Sequence, residues 1–282
     1  MSKQTSQQMQ KNKTRRLIES AVMLALATVL SLFKLVELPY GGSVTFASML
    51  PIAVIAYRYG NGWGLVTGLV FGAIQQLLGL KNLSYFSTWY SIVAIIGLDY
   101  LFAFGVIGFA GTFRRMKSQP AGLLLGCLLA GVLRYLCHVI SGATVWACLS
   151  IPTAAALTYS FIYNATYMVP EVIVLLLVAF YIGSSLDFRQ TSIAPYQRSE
   201  VRGIPALRWV SGIVLTAGLV FITVTVFGKM QNAETGEFDV TALNTVNWTV
   251  VLIVAAVSLV SAVVLFAGSR LGRSAAPEDK PQ

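Results

Sequence analysis

The stretch WYSIVAIIGLDYLFAFGVIGFAGTF, residues Trp89–Phe113, carries a single charged side chain, Asp99, along its whole length. A run of roughly 20 apolar residues is long enough to cross the hydrocarbon core of a bilayer as a helix. An ionisable group inside such a helix is energetically costly and marks a functional site by default. The stretch therefore predicts a transmembrane helix with a functional acid near its middle.

Seven further apolar stretches surround this one, and the second of the eight is short for a span. The eight stretches cover about residues 17–36, 46–57, 63–80, 89–113, 121–140, 159–186, 206–227 and 246–267. Hydrophobic residues make up 56% of the 282, and charged residues only 11%, against about 25% in soluble proteins. We expect an all-α integral membrane protein with a six-helix core and two additional C-terminal transmembrane helices.

The basic residues fall between the apolar stretches. They precede the first helix, follow the second, fourth and eighth, and separate the sixth from the seventh, as at Arg16, Arg58, Arg114, Arg189 and Arg270. Cytoplasmic loops are rich in Lys and Arg, so this pattern predicts that both termini are cytoplasmic. The same placement explains the net charge of +9 without a nucleic-acid partner; the lipid bilayer is the expected surroundings.

The polar segment from Asp187 to Pro205 divides the chain. We interpret residues 1–16 as a cytoplasmic tail, 17–186 as the six-helix core and 187–205 as a cytoplasmic linker. Residues 206–268 form a two-helix extension, and 269–282 a second cytoplasmic tail. The N-terminal apolar stretch has the length of a span, so we expect a retained first helix and not a cleaved signal peptide.

Few ionisable side chains lie inside the predicted spans. Asp99 and Glu171 are central in the fourth and sixth helices, and His138 lies near the outer end of the fifth. Arg134 precedes His138 by one helical turn, which places both on one face. Two alternatives stay open: Asp99 could pair with Arg134 for structural reasons, and Glu171 could serve only the kink at Pro170.

Aromatic and polar side chains gather around these ionisable residues. They are Tyr85, Trp89, Tyr90, Tyr100, Ser141, Gly142, Trp146, Tyr159, Tyr163, Asn164 and Tyr167. Aromatic faces attract cations and stack on rings, and a carboxylate balances positive charge. The set suits a flat, cationic heteroaromatic ligand. For Tyr85, Trp89 and Tyr90 the alternative is the aromatic belt at the membrane interface.

Motifs of catalysis are absent from the sequence. It contains no HExxH, GxSxG or Walker A sequence, so we expect neither catalytic residues nor ATP hydrolysis by the chain itself. The spacing of Cys127, Cys137 and Cys148 matches no metal or redox motif. We therefore expect no metal and no cofactor.

Four stretches carry a family resemblance: ELPYGGSVTFASMLPI at Glu37–Ile52, LDYLFAF at Leu98–Phe104, RYLCHVISGATVW at Arg134–Trp146 and YSFIYNATYMVPE at Tyr159–Glu171. Over about residues 15–186 the chain resembles the thiamine-specific S-component family (ThiT, YuaJ-like) of energy-coupling factor transporters. The resemblance implies six helices and an outward-facing pocket for thiamine. The two C-terminal helices lie outside this six-helix plan.

The resemblance also implies site residues. The pocket residues would be Asp99, Tyr100, His138, Gly142, Trp146, Tyr159 and Asn164, and we add Tyr85 from the neighbouring outer loop. Trp146 would stack on the ligand, while His138, Tyr159 and Asn164 would make polar contacts. Asp99 stands where many relatives have Glu. Residues Gly41–Ser43 would belong to a lid, with glycines where some relatives have tryptophan.

Partners follow from the same resemblance. Ala21 and Ala25, four residues apart on the first helix, would form the docking face for a transmembrane coupling subunit, since small residues let helices approach closely in lipid. Two ATPase subunits would supply the energy for uptake across a bacterial plasma membrane.

Two other classes stay open on the residues alone. One is a stand-alone transporter of thiamine or another cationic heteroaromatic, with Asp99 or Glu171 as a proton relay. The other is a membrane-embedded enzyme acting on a lipid or prenyl substrate.

Overall fold

A computed structural model of the protein describes residues 3–38, 42–195, 205–230 and 239–271. Eight helical segments occur there: α1 Lys3–Leu32, α2 Leu50–Tyr59, α3 Asn61–Leu78, α4 Trp89–Gly111, α5 Gln119–Thr144, α6 Ala154–Ser185, α7 Pro205–Met230 and α8 Trp248–Leu271. Short 3₁₀ turns at Leu80–Tyr85 and Val240–Thr245 join some of them.

The prediction of an all-α membrane protein is confirmed. Within the described residues, five helices are long and apolar enough to cross a bilayer, namely α4, α5, α6, Trp209–Met230 of α7 and Trp248–Ser269 of α8. The same part of the chain contains four short strands: β1 Lys34–Glu37 pairs antiparallel with β2 Ser43–Thr45, and β3 Leu186–Asp187 pairs with β4 Ala194–Pro195.

The first two helices differ from the predicted stretches. α1 begins at Lys3, inside the segment predicted as a tail, and ends at Leu32. The last residues of the first apolar stretch instead form β1, which pairs with β2. α2 has 10 residues, so at 1.5 Å per residue it is only about half as long as a membrane span. Its residues from Leu50 to Tyr57 are all buried, which makes it an internal element of the core.

The described residues fall into two compact units. One runs through Pro195 and contains α1–α6, and the other contains α7 and α8. The boundary lies in the segment predicted as a linker, whose beginning is structured as the β3–β4 hairpin; residues 196–204 lie outside the described residues. Within the second unit α7 and α8 pack closely, since a Cβ on Gly218 would overlap Ser258 Oγ.

Glycines allow α3 and α4 to pack with their backbones in contact. A Cβ on Gly68 would lie 2.5 Å from the carbonyl oxygen of Phe104, and one on Gly72 would lie 2.5 Å from that of Tyr100. A Cβ on Gly126 of α5 would likewise overlap the backbone of Ala110 in α4. Small residues at these positions permit close approach in lipid. They fix the position of α4, which carries Asp99, against its neighbours.

An ionic network ties α1, α2 and the segment after α6 together. The Arg58 guanidinium contacts both carboxylate oxygens of Glu19, with Nε 2.9 Å from Oε2. It also donates to the backbone carbonyls of Phe188, Gln190 and Thr191. Because Arg presents several donors in a fixed planar arrangement, one side chain joins the middle of α1, the last turn of α2 and the segment after α6.

Candidate functional site

A cavity of about 480 Å³ opens in the first unit, where α1 ends and the β1–β2 hairpin begins. Seven of the eight predicted ligand-binding residues line it: Asp99, Tyr100, His138, Gly142, Trp146, Tyr159 and Asn164. Tyr85 does not line the cavity, but its ring centroid lies 5.8 Å from that of Trp146, which does. The structure thus brings residues from four separate stretches of sequence into one site.

The Asp99 carboxylate accepts three hydrogen bonds from α5 and the turn that follows it. His138 Nδ1 lies 2.9 Å from Oδ1, Ser141 Oγ donates to Oδ2 at 2.7 Å, and Trp146 Nε1 donates to Oδ2 at 3.0 Å. An ionised carboxylate only accepts, so in this contact the His138 proton lies on Nδ1. The other ring nitrogen, Nε2, is buried and has no hydrogen-bond partner among the described residues. It is available to a ligand in the cavity.

Asp99 lies where α4 departs from regular geometry. Residues Ile96–Phe102 form a π-helical segment, and Asp99 and Tyr100 are both in it. Such segments are rare and recur at functional sites. Asp99 and Tyr100, two consecutive residues of this segment, both line the cavity.

Arg134 also lines the cavity, but it does not form the ion pair with Asp99 that was one of the alternatives. In the structure Asp99 instead contacts His138. The Arg134 guanidinium carbon lies 4.3 Å from the centre of the Phe104 ring, and its Nε has no hydrogen-bond partner among the described residues. The aromatic face offsets part of the cost of placing this cation inside the protein.

Trp146 lines the cavity, and two rings that do not line it, those of Tyr85 and Phe86, pack against its indole. Its ring centroid lies 5.8 Å from that of Tyr85 and 5.0 Å from that of Phe86, the latter in an edge-on arrangement. The hydrogen bond to Asp99 fixes the tilt of the indole. By contrast, Trp89 and Tyr90 are exposed and do not line the cavity, as the alternative of an interfacial belt predicts for them.

The cavity face of α6 is held by its own hydrogen bonds. Asn164 Nδ2 donates to the carbonyl of Ser160 at 2.8 Å, and Asn164 Oδ1 accepts from Tyr167 Oη at 2.6 Å. The rings of Tyr159 and Tyr163 stack with centroids 6.0 Å apart. Asn164 was predicted to contact the ligand. In the structure its amide already makes hydrogen bonds within the protein, to Ser160 and Tyr167.

Gly142 lets α5 and α6 meet at the cavity wall. A Cβ at this position would overlap Ser160 Oγ and lie 3.3 Å from Asn164 Nδ2. The glycine is therefore required by the approach of the two helices, independently of any contact with a ligand.

Sequence reasoning missed a polar group on the α3 side of the cavity. Asn82 Nδ2 donates to Tyr100 Oη at 2.9 Å, and Asn82 Oδ1 is buried without a hydrogen-bond partner among the described residues. Gln75 Nε2 donates to Ser31 Oγ at 2.9 Å. All four residues line the cavity. Gln75 inside an apolar stretch was the available signal, because polar groups within a span are rare.

The β1–β2 hairpin covers part of the cavity. Lys34, Glu37, Gly42, Ser43 and Thr45 all line it. Hydrogen bonds from the ammonium groups of Lys34 and Lys81 lower the pKa of Glu37. Of the predicted lid, Gly42 and Ser43 are in this position, whereas Gly41 lies outside the described residues.

Glu171 is the remaining ionisable residue of the predicted set, and it does not line the cavity. Its side chain is buried, and its carboxylate accepts hydrogen bonds from the backbone N–H and the hydroxyl of Thr45. The structure thus shows a contact with the end of the hairpin in addition to the kink at Pro170, which lies inside α6.

The predicted docking residues lie on a different surface. Ala21 and Ala25 are exposed on α1, next to the exposed apolar side chains of Val22 and Leu26. Among the described residues no cluster of three His, Cys, Asp or Glu side chains could hold a metal ion.

A family model and a related protein sequence both point to one family. Residues 17–188 match the model of the family described as thiamine transporter protein (Thia_YuaJ). The thiamine transporter ThiT of Bacillus subtilis is 35% identical over 175 residues, which cover 58% of this chain and 87% of that protein. A solved structure of ThiT from Listeria monocytogenes is 24% identical, with a TM-score of 0.49, over 61% of this chain and 94% of that one. α7 and α8 lie outside the family match.

Proposed function

The chain belongs to the thiamine transporter protein family, and from that premise we propose that it captures thiamine in the cavity as the substrate-binding component of an energy-coupling factor importer. The observation that carries the proposal is the Asp99 carboxylate, held by three donors that include Trp146, whose ring lines the cavity and packs against Tyr85 and Phe86.

The chemistry of thiamine fits this arrangement. Its thiazolium ring carries a permanent positive charge, which cannot cross hydrocarbon cheaply. The Asp99 carboxylate supplies the opposite charge, and aromatic faces attract a flat cation. The other ring of thiamine, an aminopyrimidine, presents ring nitrogens and an amine. His138 Nε2 and Asn82 Oδ1, both without partners among the described residues, can each accept a hydrogen bond from the amine.

The energy for uptake comes, in this proposal, from other subunits. The chain contains no Walker A sequence, so two partner ATPases hydrolyse ATP and a transmembrane coupling subunit transmits the change. The exposed Ala21 and Ala25 on α1 suit close helix packing against that coupling subunit. The protein resides in a bacterial plasma membrane with both termini in the cytoplasm, as its basic residues favour.

Binding to the purified chain tests the proposal. Thiamine is titrated into the protein in detergent while tryptophan fluorescence is followed, with riboflavin and biotin as control ligands. We expect saturable quenching by thiamine alone, and loss of most of that quenching in Trp146→Phe. A folded protein that shows no quenching and no heat of binding with thiamine would refute the assignment.

A transport assay separates the proposal from a stand-alone transporter. The chain is reconstituted alone in vesicles that carry a proton gradient but contain no ATPase. We expect binding without accumulation of thiamine. Accumulation that follows the proton gradient would instead establish a proton-coupled transporter.

A further inference from the structure

Glu171 joins the middle of α6 to the end of the lid hairpin. It is 1% exposed, and both of its carboxylate oxygens accept hydrogen bonds from Thr45, the last residue of β2. Thr45 Oγ1 also lies 2.8 Å from Ser48 Oγ. Hydrogen bonds to a charged, buried acceptor are among the strongest in proteins. The two residues are 126 positions apart in the sequence, so the contact fastens one part of the fold to another.

The hairpin needs such an attachment. β1 and β2 share only three paired positions, with an irregularity between Lys34 and Val36, and an isolated two-stranded hairpin is marginal in water. The hairpin is also held by the ion pair of Glu37 with Lys81, whose side chain is 70% exposed. Exposed ion pairs contribute little and weaken with salt. The buried contact at Glu171 is therefore the stronger of these two.

Tyr167, on which the hairpin rests, also lines the cavity. A Cβ on Gly42 would lie 2.6 Å from Tyr167 Cδ1, so the hairpin backbone rests directly on that ring. Tyr167 in turn donates to Asn164, which lines the cavity. Asn164, Tyr167 and Glu171 recur at helical spacing on one face of α6. Along this face, Asn164 lines the cavity, Tyr167 supports the hairpin backbone, and Glu171 accepts the hydrogen bonds of Thr45.

We propose that Glu171 is a positioning residue that keeps the β1–β2 hairpin closed over the cavity by anchoring Thr45, and so sets how long a bound ligand is retained. The inference rests on the proposed function, with thiamine as the ligand. Glu171 does not line the cavity, so it acts through the hairpin. A residue that holds a cover in place slows ligand escape, and related complexes differ mostly in dissociation rate.

Two variants of Thr45 and one of Glu171 test the inference. Thr45→Val removes the hydroxyl at constant shape, whereas Thr45→Ser keeps it. Glu171→Gln places an NH₂ where one carboxylate oxygen accepts a hydrogen bond, and an NH₂ cannot accept. We expect thiamine dissociation roughly ten- to hundredfold faster in Glu171→Gln and Thr45→Val. The association rate should change less than threefold, and thiamine should dissociate more slowly from Thr45→Ser than from Thr45→Val, because the serine keeps the hydroxyl. Thr67→Val is the matched control, because the buried Thr67 hydroxyl bonds only within α3, to the carbonyl of Trp63.

A ligand-independent measurement separates this inference from the proposed function. Hydrogen–deuterium exchange of the ligand-free full chain should rise in peptides that contain β2 in Glu171→Gln and Thr45→Val, and stay unchanged in peptides of α5. Unchanged exchange and unchanged dissociation would overturn the anchor while leaving thiamine binding intact. Faster exchange in a protein that binds no thiamine would support the anchor and refute the proposed ligand. Equal losses in Thr45→Ser and Thr45→Val would also overturn it, since the hydroxyl would then be irrelevant.

Discussion

Replacing Asp99 by Asn tests what the negative charge of the site contributes to binding, independently of the shape of the site. The side chain keeps its size, and the hydrogen bonds can be kept as well. The amide oxygen can accept from Ser141 and Trp146, as Oδ2 does now. The amide NH₂ would then face His138 Nδ1, which can accept if the imidazole proton moves to Nε2. The variant should therefore fold, with a neutral site and an altered His138 tautomer.

The expected loss follows from Coulomb's law. Two unit charges about 4 Å apart at an effective dielectric constant near 20 attract by about 4 kcal/mol. The Asp99 side chain is 13% exposed and its charge is shared with hydrogen-bond donors, so we expect roughly 2–4 kcal/mol from its removal. That corresponds to a thiamine affinity lower by roughly 30- to 900-fold.

The assay compares two ligands by fluorescence titration and calorimetry. One is thiamine, and the other is a neutral analogue in which an uncharged ring replaces the thiazolium. Asp99→Asn should weaken thiamine by the full amount and the neutral analogue by less than tenfold. Glu37→Gln is the matched control: it removes a carboxylate at the cavity mouth that is 42% exposed, and it should change either affinity by less than threefold. Equal losses for both ligands in Asp99→Asn would refute the charge argument.

Three further predictions concern other parts of the protein. Gly142→Ala should lower stability by about 1–3 kcal/mol through overlap with Ser160, seen as a lower melting temperature, whereas Gly62→Ala, with open space around it, should not. Hydrogen bonds from two lysines lower the pKa of Glu37, so its ion pairs persist at neutral pH and are lost only when the pH falls through a value below 4.5. Hydrogen exchange of the hairpin, followed from pH 7 to pH 3, should therefore show no rise in opening above that value. Ala25→Leu should abolish ATP-driven uptake in cells that contain the coupling subunits and leave thiamine binding by the purified chain unchanged; loss of binding would place Ala25 in the fold and not in the docking face.

Most of the helical stretches and seven of the residues that line the cavity could be predicted because a membrane restricts which residues a sequence can place in a span. Charges and polar groups are so unfavourable in hydrocarbon that Asp99, His138 and Asn164 stand out in their apolar stretches. Helical periodicity then places them on faces that meet. The same rule, applied to Gln75, would have extended the set to the α3 side of the cavity, where Asn82 also lies.

The partners of these residues could not be predicted, because they depend on geometry that the sequence does not encode locally. Helical spacing places Arg134 and His138 on the same face of α5, and only the packed structure shows that His138 contacts Asp99. β1 was hidden at the end of the first apolar stretch, which was predicted as helix, and its pairing with β2 is a contact between segments. Glu171 could be identified as important but not as a partner of Thr45, which lies 126 positions away.

Asp99 shows why the cavity can be preorganised for a cation before one arrives. A charge inside a membrane protein is costly unless its hydrogen-bonding capacity is satisfied. His138, Ser141 and Trp146 satisfy that of Asp99, and all three lie in or directly after one helix, α5. The donors are therefore positioned by the packing of α5 against α4, to which Gly126 contributes, and not by the ligand. None of these three donors carries a permanent positive charge. Arg134 also lines the cavity, but among the described residues Asp99 is paired with His138 and not with Arg134, so a cationic ligand supplies the direct charge partner. Donors fixed by helix packing favour such a cation over a neutral ring of the same shape at little cost in reorganisation.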